Sequence, residues 1–285
     1  MSVGGSWARA AHQVLDPFHA VTYLASQAAA AFREAGLTGP WDGYFGGRTA
    51  PLGQVSPATV CAVFYHFKPM MVDTVMTGLT GKSTPETTLA ARLTGVDDAL
   101  RAHLVCASLG GQVAEAADLA MRAAMACTIP ARPLGAANLA LSMPDETHLA
   151  LWQASTTLRE FRGDGHGIAL AEADLDGVEA LITAVGAGIE RRASIQRRRG
   201  WTDDEWSAGE DRLRRRGLLT EEGALTETGT SLRQTVEDRT DELAAGPWTV
   251  LGDQKTSRLL ELLGPLSARL TRGLRAEGER RARRE

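Results

Sequence analysis

The sequence predicts an almost wholly α-helical protein with one small β element in its C-terminal third. Three observations carry that expectation. Apolar residues recur at i, i+3, i+4 spacing along most of the 285 residues, alternating β-branched runs are nearly absent, and only 5% of residues are aromatic. At 44% apolar and 23% charged the composition is that of a globular chain. Its length predicts two domains or one large one, at roughly 150 residues per domain. A balance of 31 basic against 35 acidic side chains, net −4, excludes nucleic-acid binding through bulk charge, so DNA contact would need a local basic patch. Lys68, Lys82 and Lys255 are the only lysines. The arginine surplus, with abundant alanine, fits high-GC coding and is by itself weak evidence for phosphate recognition.

Asp16-Pro17 opens the first strong helical pattern, with Phe18, Val21, Leu24, Ala28 and Phe32 on one face and an end expected near Gly36. The glycine-rich, aromatic stretch from Gly36 to Pro57 predicts a compact loop or broken helix. Ser56-Pro57 reads as an N-cap and first-turn proline, opening a helix through Val60, Phe64 and Phe67 that kinks at Pro69. Amphipathic helices follow over 86–105 and 112–127. Residues Ile129 to Pro144, with three prolines, predict a long crossing loop. A helix from Pro144 carries Leu149, Trp152 and Leu158 and is expected to stop at Arg162-Gly-Asp-Gly-His-Gly167. A short helix near 168–174 and a longer one from Asp176 to about Arg199 complete this part.

From Ile189 the pattern changes. Five arginines lie between Arg191 and Arg199, and Thr202 with Glu205 forms a capping box for a helix carrying Trp206 and Leu213 inward. Leu218-Leu219, an acidic turn at Glu221-Glu222-Gly223, and Leu225-Thr226 predict a tight two-stranded wing. Thr228-Gly229 opens a long helix through Leu232, Val236 and Leu243.

The run Arg212-Leu213-Arg214-Arg215-Arg216-Gly217-Leu218-Leu219, followed by Gly223-Ala-Leu225-Thr226-Glu-Thr-Gly229-Thr-Ser-Leu232, resembles the winged helix-turn-helix of MarR-type repressors over roughly 185–245. The whole chain is also similar to a family of actinobacterial helix-turn-helix proteins of uncharacterised activity. That similarity is carried by Leu15-Asp-Pro-Phe-His19-Ala-Val-Thr-Tyr23, Gly43-Tyr-Phe-Gly-Gly-Arg48-Thr-Ala-Pro-Leu-Gly53, Arg162-Gly-Asp-Gly-His166 and Arg199-Gly-Trp-Thr-Asp-Asp-Glu-Trp206. The resemblance implies a recognition helix whose first turns meet base edges. Those positions here are Thr202, Asp203, Asp204, Glu205 and Ala208, and the wing tip offers Glu221 and Glu222. Carboxylates there oppose the counterion-release term that supplies most affinity for DNA. Arg191, Arg197, Arg198, Arg199, Arg214 and Arg215 are the candidate DNA contacts from flanking positions, or else solvated faces and i, i+4 ion pairs such as Asp211 with Arg215. Over 190–216, nine arginines face six acids.

Candidate chemistry rests on histidines, aromatics and arginines. His166, with Asp164 two residues before it, reads either as an oriented acid/base group or as a capping turn in which Asp164 bonds local amides. His66 lies in the aromatic run Phe64-Tyr65-His66-Phe67, as a ligand contact or a satisfied core histidine. Trp41, Tyr44 and Arg48 on the glycine-rich loop suit a pocket for a planar or carboxylated small molecule, or a packing loop. With His19, Tyr23, His66 and Arg162 they form the candidate ligand set. Nucleotide, hydrolase and dinucleotide motifs are missing, no His spacing suits a metal, and no cofactor is expected. Cys61, Cys106 and Cys127 are expected to be buried, reduced thiols. No uncharged apolar run of about 18 residues and no secretory signal is present, predicting a cytoplasmic protein without membrane spans.

The reading is an all-α protein with a small β wing: a multi-helix N-terminal domain over 1–180, a winged helix-turn-helix over 185–250, and a C-terminal helix and charged tail over 251–285. Its function is expected to be that of a regulator-type, homodimeric protein holding a small molecule between helical domain and winged helix, with DNA contact opposed by local acids. A cofactor-independent enzyme using His166 and Asp164 is the alternative, and a purely structural dimerisation module a third reading.

Overall fold

Helices dominate, as the periodicity requires. The computed structural model describes residues 3–104 and 110–282. Among them the only β pairing outside helices is an isolated antiparallel bridge, Leu219 to Leu225. Cys106 and Arg283–Arg284 of the tail lie outside the described residues. Of the other two thiols, Cys127 is buried and Cys61 only half-buried.

The first helix, α1 (Val3–Leu24), begins well before Asp16 and carries Pro17 inside it. Proline removes one backbone donor and costs a helix interior about 3 kcal/mol. The helix persists because Ala8, Ala11, Leu15, Phe18 and Val21 bury one continuous face. The chain breaks at Ala25, in extended geometry, before α2 (Ser26–Glu34). The glycine-rich stretch holds a regular helix, α3 (Asp42–Thr49), followed by a 3-10 turn at Ala50–Leu52. Its glycines allow close approach: a Cβ on Gly43 or Gly47 would lie 2.7 or 2.6 Å from the Phe32 ring. Ser56 does cap α4 (Pro57–Val63), accepting from the Thr59 amide at 3.2 Å, and α5 (Pro69–Leu79) follows after a break rather than a kink.

Thr84 caps α6 (Pro85–His103), and α7 spans Gly110–Met125. The expected crossing loop contains α8 (Pro133–Leu139). The largest departure is α9 (Thr147–Glu172), which runs uninterrupted through Arg162-Gly-Asp-Gly-His-Gly167. Glycine costs a helix about 1 kcal/mol per residue, and burial of Leu151, Trp152, Ala154, Leu158, Phe161, Ala169 and Leu170 outweighs it. The expected 176–199 helix is two: α10 (Gly177–Gly186), opened by a capping box of Asp176 and Glu179, and α11 (Arg192–Arg199). The Thr202–Glu205 capping box starts α12 (Asp203–Arg215), and Trp206 and Leu213 are buried. Thr226, accepting from the Gly229 amide at 3.0 Å, precedes α13 (Glu227–Leu243). Helices α14 (Gly246–Leu251) and α15 (Asp253–Ala282) end the described chain.

These elements gather into two units, each assembled from separated segments. The first comprises residues 1–55, 78–164 and 241–285; the second comprises 56–77 and 165–240. In the first, Phe18, Phe32, Phe45, Leu100, Trp152 and Leu263 are among the buried core side chains. In the second, Val178, Ile182, Ile195, Trp206, Leu213 and Val236 are.

Candidate functional site

One face of α1 carries a polar stripe at helical spacing: His12, Asp16, His19 and Tyr23. From α9 come Arg159 and Glu160, and from α3 come Tyr44 and Arg48, one turn apart. The Arg48 guanidinium grips Glu160 with two bonds, Nε to Oε1 at 2.8 Å and Nη2 to Oε2 at 2.7 Å, and donates a third to the Tyr44 hydroxyl at 2.7 Å. Arg159 adds a bond to Glu160 Oε2 at 2.9 Å and lies 3.5 Å from Asp16. Edge-to-face ring contacts link His19 to Tyr23, Tyr23 to Tyr44, and Tyr44 to Trp41 at 5.5, 5.1 and 5.7 Å. His19, Arg48 and Glu160 are buried, while Tyr23, Trp41 and Tyr44 keep part of their surface open.

The electrostatics of this cluster are lopsided. Burial works to raise the Glu160 carboxyl, but Arg48 and Arg159 override it and hold the group ionised, well below the usual carboxylate range. Burial pushes the His19 imidazole far down despite Glu160, so the ring is neutral. Among the described residues neither of its buried ring nitrogens has a hydrogen-bond partner, the nearer lying 3.7 Å from Glu160 Oε1. Arg92 is also buried, on α6. It donates to the Gly47 carbonyl at 3.1 Å and Asn138 Oδ1 at 3.4 Å, sits over the Trp152 ring, and pairs with no acid among the described residues; burial lowers it to about 10. Two buried or part-buried guanidinium groups, Arg48 and Arg159, therefore hold one buried carboxylate, and a third, Arg92, is buried in the same unit. Neutral histidine donors, guanidinium groups and open aromatic edges together suit a small molecule with an acidic or carbonyl group.

The other candidate residues go elsewhere. Arg162 bonds Asp241 Oδ1 at 2.7 Å, on the carboxylate that also receives Arg9. Asp164 Oδ2 accepts the Gly135 amide at 2.8 Å, capping the start of α8 rather than its own backbone. Burial raises its carboxyl to about 7, with that amide acting against the rise. His66 and His166 belong to the second unit, where their rings stack at 5.6 Å and 17° and His166 Nδ1 lies 2.9 Å from Thr240 Oγ1. Among the described residues no group of three or more His, Cys, Asp or Glu side chains is placed to hold a metal ion, and no helix is long and apolar enough to cross a membrane.

In the second unit, α11 and α12 are joined by the three-residue turn 200–202, with Gly200 left-handed at φ 82° and against Met71. Arg199 lies over the Phe67 ring, and Trp201 Nε1 donates to the His66 carbonyl at 3.0 Å, tying the turn down. A model described as a helix-turn-helix family matches residues 8–275. The chain belongs to that helix-turn-helix family. Neither the curated proteins nor the solved structures include a match.

The arginines of this helix-turn-helix protein are largely engaged. Arg192 faces Glu210 at 3.3 Å and Asp203 at 3.5 Å, Arg198 lies 3.6 Å from Glu190, and Arg214 bonds Asp211 at 2.9 Å. Arg215 uses the Asp211 carbonyl at 3.3 Å, so the expected Asp211–Arg215 ion pair is replaced by Asp211–Arg214. Arg191 and Arg197 are exposed. Asp203 and Asp204 stand exposed on the first turn of α12, and Glu205 pairs with Lys68 at 2.7 Å. Sequence reasoning named His19, Tyr44 and Arg48 but missed Glu160, Arg159, Arg92, His12 and Asp16. The α1 stripe at i, i+4, i+7, i+11 was the available signal for the last two. Nothing local marks Glu160, whose partner Arg48 is 112 positions away.

Proposed function

We propose that this helix-turn-helix protein is a cytoplasmic, regulator-type homodimer that binds a small molecule in its first unit through His19, Tyr23, Trp41, Tyr44 and Arg48. The observation that carries the reading is His19: a buried, neutral imidazole with both nitrogens unpartnered among the described residues, beside the Arg48–Glu160–Arg159 network. Unpaired buried polar atoms cost about 1–3 kcal/mol each, and a ligand group bonded to His19 removes that cost. Native mass spectrometry of the purified protein tests it. A bound small molecule that is lost in His19→Phe supports the reading; a mass matching bare polypeptide, with no metabolite extract shifting the melting temperature, overturns it.

Residues 217–226 support a MarR-like wing, through the Leu219–Leu225 bridge and bonds from the Thr220 amide to the Ala224 carbonyl at 2.8 Å and from Thr226 to Leu218 at 3.1 Å. The charges nonetheless oppose strong DNA binding, because α12 presents Asp203 and Asp204 where bases would be met. The enzyme reading is less well supported. Asp164 and His166 are two residues apart on α9, which turns their side chains about 200° from each other, and Asp164 is engaged by the α8 amide.

A further inference from the structure

Within the first unit, α1 and α15 border a cavity of about 430 Å³. Its size falls within the roughly 300–1,000 Å³ of small-molecule sites. Pro17, Ala20 and Leu24 from α1 and Leu274 from α15 give it apolar walls, and Leu24 leaves half its surface uncovered. Tyr23 also lines it, with its ring against His19 and Tyr44. The pocket thus borders the site proposed above without including Glu160 or Arg48.

The charges at its rim are unequally engaged. Asp16 lies 3.5 Å from Arg159. Glu277 accepts the Ser26 amide and hydroxyl, each at 3.0 Å, and pairs with His103 at 2.8 Å. Both acids therefore have partners inside the protein. Arg275 is exposed at the same rim, and no hydrogen bond or ion pair among the described residues engages it. We propose that this pocket binds an amphipathic organic anion, its apolar body against Pro17, Ala20, Leu24 and Leu274 and its acid group on Arg275. The proposal rests on the small-molecule reading above and names the ligand's class. A free guanidinium beside an apolar wall selects such a molecule over a neutral one, since the charge-assisted bond adds to burial of the body.

Two fluorescent probes of similar shape test it on the full chain: 8-anilinonaphthalene-1-sulfonate, which is anionic, and N-phenyl-1-naphthylamine, which is neutral. The anionic probe is expected to bind saturably, one per chain, and about tenfold more tightly than the neutral one. Arg275→Gln should weaken it about tenfold and leave the neutral probe unchanged. A side chain built at Gly278, which lines the pocket, meets open space, so Gly278→Trp should block both probes without altering the far-UV circular dichroism or the melting temperature. Equal binding of both probes, an anionic probe indifferent to Arg275→Gln, binding that survives Gly278→Trp, or a dimer whose formation expels the probe would each overturn the inference. His19→Phe should leave both probes bound. If native mass spectrometry shows a ligand that depends on His19 while the probes fail here, the small-molecule reading stands and this one falls.

Discussion

In the first unit Arg48 and Arg159 pair with one buried carboxylate, Glu160, with aromatic rings close by, and Arg92 lies buried over the Trp152 ring. In the second unit Arg192, Arg198 and Arg214 lie at or near the surface and face Glu210 or Glu190, while Arg212 and Arg216 reach the buried Glu179 of α10. The same residue type thus does two jobs. Surface pairs of the second kind are worth about 0–1 kcal/mol each and tolerate loss. Buried groups of the first kind become costly once a partner is removed. The difference separates the arginines that can be lost cheaply from those that cannot, and Arg48 and Arg159 of the first unit belong with the costly ones.

Glu160→Gln should break this comparison most visibly. It leaves buried guanidinium groups without their carboxylate, which costs about 3–5 kcal/mol and lowers the melting temperature by on the order of 10 °C. Arg214→Gln in the second unit, removing contacts to Glu210 and Asp211, should cost about 1 kcal/mol or less. Comparable losses from the two variants, read by calorimetry, would mean that burial does not separate the two sets.

The pH dependence of stability should differ next in size, and its parts have opposite signs. Burial lowers His12 from 6.5 to about 4 and His19 well below 6.5. The folded chain then binds fewer protons than the unfolded chain as pH falls below 6.5, so stability is lost on the acid side. Asp164 is raised from 3.8 to about 7. Here the folded chain holds the extra proton, and stability is lost as pH rises from about 4 to 7. His19→Phe should therefore flatten the fall in melting temperature below pH 6.5, and Asp164→Asn should flatten the fall towards pH 7. Unchanged slopes in either variant would show that the group titrates alike in both states.

How much of this was written locally along the chain follows from the same contrast. The caps at Ser56, Thr84 and Asp176 and the capping box at Thr202 and Glu205 depend on residues three positions apart, and the sequence displays Ser56 and the Thr202–Glu205 box as caps and Asp176 as a helix start. Thr202→Ala should accordingly cost about 1 kcal/mol, a shift of a few degrees in melting temperature. By contrast, Pro17 inside α1, the Gly163–Gly167 run inside α9 and the glycines of α3 contradict local propensity. Tertiary burial decides those positions, and Phe32 lying on Gly43 and Gly47 is a fact of packing between helices. The site divides the same way. His19, Tyr23, Tyr44 and Arg48 stand out by residue type, whereas the carboxylate that organises them comes from a segment read only for its apolar face.

The smallest expected effect gives the sharpest view of the second unit. Arg191 and Arg197 are exposed on or beside α11, so replacing both by Ala should change stability by no more than about 0.5 kcal/mol each. If they contact phosphates, each removal should also lower the slope of log affinity against log salt for a DNA duplex by about one. The acids on α12 predict that no such change occurs, because binding at physiological salt is too weak to carry one. Asp203→Asn with Asp204→Asn then supplies the converse arm. Removing two exposed negative charges from the first turn of α12 should strengthen duplex binding in fluorescence anisotropy at low salt, with little change in melting temperature. Tight, salt-steep binding by the unmodified chain, weakened by the arginine variants, would make α11 a phosphate-contacting helix and place the acids to accept from bases instead.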